Sequence, residues 1–187
     1  FDRVSKGHQL YYNSKYQEAL AYAESNQLDR ALATFEQLIQ SRASAPVTDK
    51  SKVAAMMGKA RVLYQKKNWD AAVEAYREIP RDSEFWHDTV FESSWAMLRS
   101  GRFRSSLSNF HTLHSAFYED QYMPESLLLR SIVYLYICKY DEMDKVLNLF
   151  SHIYKPVYKQ IDKTLETVDK PERYFTMMND MMKVAKK

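Results

Sequence analysis

Residues 53–80 read VAAMMGKARVLYQKKNWDAAVEAYREIP and contain two apolar segments separated by a short polar stretch. Each segment carries a small residue, Ala60 in the first and Ala72 in the second, with large apolar residues three or four positions further on. Residues at that spacing lie on one face of an α-helix. The stretch therefore predicts two helices, joined by the turn at 66–68, that approach each other through their small residues.

The same arrangement occurs four times along the chain. In each copy a polar turn precedes a large apolar residue and the start of the second helix. The equivalent residues near that start are Ala31, Ala72, Ser106 and Met143. Their spacings of 41, 34 and 37 residues indicate tandem helix pairs.

Other positions agree with this alignment. Bulky residues occur four positions after each reference, at Phe35, Tyr76, Phe110 and Leu147. Small residues occur twelve positions before it, at Ala19, Ala60, Ser94 and Ser131. We expect the small residues to mark where paired helices touch and the bulky ones to fill the core between them.

This order of small and large positions resembles the tetratricopeptide repeat over residues 12–156, a family of helix–turn–helix units of about 34 residues. The resemblance implies an all-α, right-handed α-solenoid of about four helix pairs whose first helices line a concave groove. We expect a repeat domain at 1–156, with repeats near 7–42, 49–80, 83–117 and 123–154, and capping or amphipathic helices at 157–187. The predicted helices lie near 7–25, 28–42, 49–67, 69–79, 83–100, 103–117, 124–138, 140–153 and 171–186.

Proline, cysteine and capping residues refine these boundaries. All five prolines, among them Pro156, fall at predicted helix ends, where the missing amide does least harm. Asp169 and Glu172 have the spacing of a capping box before the final helix. Cys138 ends an apolar run, and we expect it to be a small core residue because free cysteine is among the most buried residue types.

The resemblance also assigns residues to the groove. They are Tyr16, Leu20, Met57, Arg61, Tyr64, Phe91, Trp95, Arg99, Leu128 and Ile132. Aromatic and arginine side chains are the usual anchors of protein interfaces, so a peptide or helix of a partner protein is the expected ligand. Core packing, or filling of the groove by the chain's own C-terminal helix, is the alternative. Only Arg61 could mimic the Lys, Asn and Arg set with which some members clamp a carboxylate, so we do not expect that mode.

The final helix carries a methionine-rich apolar face, which defines a second candidate surface. We call Tyr174, Met178, Met181 and Met182 the C-terminal surface. Such a face must be covered, and three covers are open: the end of the solenoid, a partner, or a coiled coil that continues past Lys187. A structural homo-oligomer that pairs this surface between chains is therefore the alternative function. The basic end could also touch anionic lipid.

Composition narrows the function classes. The chain has 3 Gly and 5 Pro in 187 residues, too few turn-formers for a β-barrel or a glycine-looped nucleotide site. His111 and His114 have a zinc-compatible spacing but no companion ligands at motif spacing. We expect no enzyme activity, no cofactor and no metal. A net charge of +3, spread along the chain, does not suggest nucleic acid, and no apolar run is long enough to span a membrane.

A narrower resemblance concerns the compartment. The second half of the chain is similar to tetratricopeptide proteins of bacterial cell-envelope and gliding-motility machineries in five short matches: Trp95-Ala96, Pro124-Glu125, Cys138-Lys139-Tyr140, Phe150 and Tyr154-Lys155-Pro156. The resemblance implies an envelope-associated or periplasmic assembly factor. Because residue 1 is Phe, we expect a trimmed or processed chain, so the lack of a signal peptide carries no information.

Overall fold

The computed structural model describes residues 4–5, 8–115, 123–167 and 170–185, and within these ranges the chain forms nine α-helices and no β-strand. The helices are α1 (Tyr11–Glu24), α2 (Leu28–Ser41), α3 (Lys50–Gln65), α4 (Trp69–Arg77), α5 (Trp86–Arg99), α6 (Phe103–Leu113), α7 (Pro124–Tyr136), α8 (Tyr140–Thr167) and α9 (Pro171–Ala185). The predicted all-α class and the order of paired helices are confirmed. The chain divides into an N-terminal unit, residues 1–122, and a C-terminal unit, residues 123–187.

The turn inside each helix pair has one backbone design. In the described residues the positive-φ positions are Asn26, Lys67, Gly101 and Cys138. The next amide donates back to the last full turn of the first helix, as in Asn68 N to Leu63 O at 3.0 Å and Lys139 N to Tyr134 O at 2.8 Å. These bonds satisfy carbonyls that a helix end otherwise leaves unpaired.

This turn overturns the expectation for Cys138. The side chain is exposed, because α7 ends at Tyr136 and Cys138 occupies the left-handed turn position, with φ of 57°, rather than an internal helical position. The apolar run in the sequence simply extends past the end of the helix. A non-glycine residue in that conformation costs about 1–2 kcal/mol, which the packing of the pair must offset.

Small residues set the distance between paired helices in the N-terminal unit. The small positions of the first three pairs are fully buried: Ala19, Ala31, Ala60, Ala72, Ser94 and Ser106. In the third pair the Ser106 hydroxyl donates to the Ser94 carbonyl oxygen at 3.0 Å, a direct contact between α6 and the backbone of α5. The bulky positions Phe35, Tyr76 and Phe110 are 3% exposed or less. The predicted small and bulky positions are therefore confirmed for these pairs.

Contact between successive pairs depends on Gly58. A Cβ atom built there would lie 2.3 Å from Phe35 Cε1 and 2.4 Å from Cζ, far inside van der Waals contact. The ring of Phe35 is completely buried and thus lies against the α3 backbone. With eight buried residues, α3 packs against α2 and α4 and forms the middle of this unit.

The C-terminal unit is built on the packing of α7 against α8, with Leu127, Val133 and Val146 buried. Two expectations fail here. Leu147, predicted to be a core position, is 36% exposed. Pro156 lies inside α8 rather than at a helix end, so the predicted boundary at 156/157 falls within a helix. Proline is tolerated there because Pro156 and His152, whose carbonyl loses its intrahelical partner, are both exposed and water can reach that carbonyl.

The predicted capping box rests on Asp169, which lies outside the described residues. The final helix begins at Pro171, as the sequence predicts. Its apolar side chains Tyr174, Phe175, Met181 and Met182 are all at least half exposed. The C-terminal surface is therefore not covered by the described part of the chain.

We expect Gly58→Ala to lower the free energy of unfolding by about 3 kcal/mol, because the new methyl group must displace a buried ring. Gly101→Ala is the control. A Cβ at Gly101 meets no atom within 4 Å, so only its φ of +77° opposes the change, at a cost of about 1 kcal/mol. Urea unfolding followed by circular dichroism measures both, and an equal loss in the two variants would contradict the assigned contact.

Candidate functional site

A cavity of about 300 Å³ opens on the N-terminal unit between α3, α4 and α5. We call it the aromatic cavity; its lining residues are Arg61, Tyr64, Tyr76, Glu92 and Trp95. Arg61 and Tyr64 are three residues apart on α3, and Glu92 and Trp95 are three apart on α5. That spacing aims both side chains of each helix in the same direction. The cavity therefore depends on the contact between two successive helix pairs.

An ion pair crosses the cavity from α3 to α5. Arg61 Nε donates to Glu92 Oε2 at 2.8 Å, and Arg61 Nη2 donates to Glu92 Oε1 at 2.5 Å. The hydroxyl of Tyr76 also donates to Glu92 Oε2, at 3.0 Å. Two parallel bonds from one guanidinium form the strong bidentate arrangement. One carboxylate thus joins side chains from three helices.

Burial and the ion pair shift two protonation equilibria. The hydrogen bond to Glu92 raises the pKa of Arg61 and outweighs its partial desolvation. Burial, assisted by the negative charge of Glu92, raises the pKa of Tyr76. Arg61 is therefore charged and Tyr76 neutral across the physiological range. The Glu92 side chain is 24% exposed and that of Arg61 is 51% exposed, so the pair lies at the wall of the cavity rather than in the core.

A chain of aromatic contacts supports one wall. Tyr64 packs edge-on against Trp69, with ring centroids 4.8 Å apart. The guanidinium of Arg99 lies over the Trp69 ring, 5.0 Å from its centroid. Such contacts fix ring orientation as well as burying area. Tyr64 is thus held in place from outside the cavity.

Comparison with known proteins agrees with this architecture. The family model for the tetratricopeptide repeat matches residues 7–85. These residues are similar to the tetratricopeptide repeat. They contain α1 to α4 and therefore the Arg61, Tyr64 and Tyr76 walls of the cavity, whereas Glu92 and Trp95 come from the next helix pair.

Solved structures with tetratricopeptide-like repeats have the same fold. A putative kinesin light chain of Podosopora anserina, described as having nearly identical TPR-like repeats, superposes with a TM-score of 0.69 at 15% identity, over 84% of this chain and 81% of that one. A D159K mutant of MamA superposes with a TM-score of 0.58 at 15% identity, over 81% and 83% of the two chains. No curated protein matches the sequence. At this identity the similarity concerns the fold.

The structure brings together part of the residue set that the tetratricopeptide resemblance assigned to the groove. Arg61, Tyr64 and Trp95 line the aromatic cavity, and Arg99 supports it through Trp69. Three others do not line it: Tyr16 packs edge-on against Phe35, with ring centroids 5.7 Å apart, Leu20 is half-buried beside the same core, and Phe91 is half-buried on α5. Leu128 and Ile132 belong to α7 of the C-terminal unit, where both are exposed.

Met57 is a core residue and not a groove residue. It is 1% exposed, and its sulfur accepts a hydrogen bond from the Thr89 hydroxyl at 3.2 Å. The reason is that α3 is packed on several sides, so a position that faces outward on a peripheral helix is covered on this one. Helical periodicity alone does not reveal how many neighbours a helix has.

Sequence reasoning missed Glu92 and assigned Tyr76 only to packing. A signal was present, because Arg61 and Glu92 have opposite charges and lie 31 residues apart, close to one repeat. Side chains at that separation can meet across successive first helices. The ion pair also occupies the guanidinium that would have been needed to clamp a carboxylate.

A second, more polar cavity of about 480 Å³ lies between α4, α5 and α6, lined in part by Arg81, Trp86, Asn109 and Thr112. The Asn109 amide donates to Val90 O and Ser93 Oγ, so these polar groups of the cavity already have hydrogen-bond partners within the protein. We call this the polar cavity. It provides a comparison site on the same unit.

The described residues lack two kinds of feature. No group of three or more His, Cys, Asp or Glu side chains in those ranges could hold a metal ion. Likewise, no helix among them is long and apolar enough to cross a membrane.

We expect Tyr76→Phe to lower the free energy of unfolding at neutral pH by about 1.5–3 kcal/mol, the usual range for a hydrogen bond to a charged group. The control is Tyr22→Phe, which removes a hydroxyl that donates to Glu18 Oε1 at 3.2 Å on its own helix. That variant should lose less than about 1 kcal/mol. Urea unfolding gives both values, and equal losses would contradict the cross-helix role of Tyr76.

The pH dependence of the Tyr76→Phe difference has a definite sign. Because the pKa of Tyr76 is raised in the folded protein, its stabilising contribution is fully present below the unfolded value of about 10. The contribution declines as the pH rises beyond about 10 toward the folded pKa. The stability difference between wild type and Tyr76→Phe should therefore shrink between about pH 9 and about pH 10.5. A growing difference would contradict the assignment.

Proposed function

We propose that this protein is a non-enzymatic interaction scaffold that binds a segment of a partner protein at the aromatic cavity. The observation that carries the proposal is the cavity itself, where Trp95, Tyr64 and Arg61 converge at an accessible surface. Trp, Tyr and Arg dominate the binding energy of protein interfaces because they bury large areas at modest entropic cost. Tetratricopeptide repeats generally mediate protein interactions.

Repeat architecture supports the proposal for a physical reason. Each helix pair contacts only its neighbours along the stack, so the first helices leave an extended surface that is not needed for folding. On this chain that surface carries the cavity between the second and third pairs, with Arg99 and Tyr16 near it. A peptide or a helix is a natural occupant of such a surface.

Affinity capture from an extract of the source cells tests this function. Wild type, Trp95→Ala and the control Val47→Ala serve as baits; Val47 is 62% exposed in the loop between α2 and α3. We expect at least one protein to be retained saturably by wild type and Val47→Ala and about tenfold less by Trp95→Ala, the loss typical of an interface anchor. Equal retention by Trp95→Ala, with unchanged circular dichroism, would contradict the proposal.

A structural homo-oligomer is the second candidate, favoured by the exposure of the C-terminal surface, where Met181 is 53% and Met182 56% exposed. If chains pair there, light scattering should give a mass above the 22.1 kDa of one chain. The double change Met181→Glu and Met182→Glu should return the measured mass to that of one chain. A mass of one chain at every concentration would remove this candidate.

The short runs similar to envelope and gliding-motility proteins extend the proposal to a compartment. We propose an envelope-associated assembly, a part of the proposal that rests on those runs alone. Fractionation of the source cells with an antibody to the chain tests it. A purely cytoplasmic signal would overturn it.

A further inference from the structure

We propose that the aromatic cavity receives a neutral, bulky apolar side chain of the partner segment, aromatic or branched aliphatic, and rejects acidic side chains. This inference rests on the proposed function, since it names the chemistry of the partner at that same site. It is argued from the ion pair between Arg61 and Glu92, which already neutralises the charges of the cavity.

The charged groups of the cavity neutralise each other. Arg61 makes two hydrogen bonds to Glu92, at 2.5 and 2.8 Å, and Tyr76 makes a third at 3.0 Å. An incoming carboxylate would have to displace a bidentate partner and would then lie beside the negative charge of Glu92. An incoming ammonium would meet the guanidinium of Arg61. Both cases cost the desolvation of a charge without a free counter-ion, which disfavours charged occupants.

The remaining walls are aromatic, and the space suits a side chain. Tyr64, Tyr76 and Trp95 supply rings on different sides of the cavity. Its volume of about 300 Å³ is at the lower end for ligand pockets, so it accommodates one anchoring side chain rather than a whole segment. Aromatic rings prefer edge-to-face or offset contacts, which rings on several sides can provide.

The rim offers a group suited to a peptide backbone. Within the part of the chain that the structure describes, the indole N–H of Trp95 donates no hydrogen bond, and the side chain is 37% exposed. Such an N–H at the edge of an apolar cavity can donate to a carbonyl oxygen next to the anchored residue. This favours a residue within a peptide over a simple hydrocarbon.

The walls are fixed before any ligand arrives. Tyr64 is held by Trp69, and Trp69 by Arg99, while Tyr76 is only 3% exposed and is tied to Glu92. A preformed cavity loses little entropy on binding. Even a single capped amino acid is therefore expected to bind measurably.

Nuclear magnetic resonance with capped amino acids tests the inference. The probes are N-acetyl-phenylalaninamide, N-acetyl-leucinamide, N-acetyl-aspartamide with a free side-chain carboxylate, and N-acetyl-lysinamide. The readout is the indole N–H of Trp95, assigned with Trp95→Phe, while Trp86 reports on the polar cavity. We expect saturable shifts of the Trp95 signal with the Phe and Leu probes, with dissociation constants of about a millimolar. The Asp and Lys probes should bind at least about tenfold more weakly.

Glu92→Gln tests the cause of the selectivity. Freed from its carboxylate, Arg61 can pair with the Asp probe, so the preference for Phe over Asp should fall by about tenfold or more. The matched control is Glu84→Gln, which removes the exposed partner of Lys50, at 2.6 Å, and should leave the preference unchanged. If Glu92→Gln is poorly folded by circular dichroism, the double change Arg61→Met and Glu92→Met replaces the pair with apolar groups. That variant should still bind the Phe probe and should still bind the Asp probe more weakly than the Phe probe.

Several results would overturn the inference. The first is an Asp or Lys probe that shifts the Trp95 signal as strongly as the Phe probe does. The second is a set of shifts confined to the Trp86 signal. The third is no shift of the Trp95 signal with either apolar probe up to about 20 mM, well above the expected dissociation constant. The two proposals fail separately. Protein capture that depends on Trp95 without probe selectivity leaves the proposed function standing, whereas probe selectivity without any captured protein contradicts the proposed function only.

Discussion

In each of the first three helix pairs, the two helices meet where the side chains are no larger than those of Ala or Ser. The hydrogen bond from the Ser106 hydroxyl to the Ser94 carbonyl shows how near α6 lies to the backbone of α5. Between pairs, the ring of Phe35 takes the space that a Cβ at Gly58 would need. Because close-packed interiors tolerate little change in volume, these contacts, together with the packing of α4 against both α3 and α5, fix the positions of α3, α4 and α5 relative to each other. The geometry of the aromatic cavity depends on those positions.

The candidate site is a consequence of this stacking. Arg61, Tyr76 and Glu92 come from three different helices, and their hydrogen bonds need all three helices in register. A bidentate pair is sensitive to small displacements, since both of its bonds must form together. The same network removes free charge from the cavity. Packing, electrostatics and the chemistry of the expected occupant are therefore linked through one carboxylate.

The helix pairs could be predicted well from the sequence because the recurring small and bulky positions report directly on side-chain size at the contacts between helices. It predicted less well where an outcome depends on the number of neighbours or on backbone conformation. Met57 is buried because α3 is covered on several sides, and Cys138 is exposed because it occupies a left-handed turn. Pro156 lies within α8, where solvent can reach the freed carbonyl. Helical periodicity reports neither the number of neighbours that a helix has nor the backbone conformation at its end.

The candidate site could be predicted only in part from the sequence. Arg61, Tyr64 and Trp95 were recognised from their positions on the first helices, whereas Glu92 was missed because pairing between repeats requires knowing their register. The most direct test of the account is the side-chain Nε–H signal of Arg61 in the free protein at neutral pH. A bidentate pair held by three packed helices predicts slow exchange of this proton with water, and fast exchange after Glu92→Gln. If Arg61 exchanges in the wild type as fast as the exposed Arg104, the preformed network does not exist and the account is wrong.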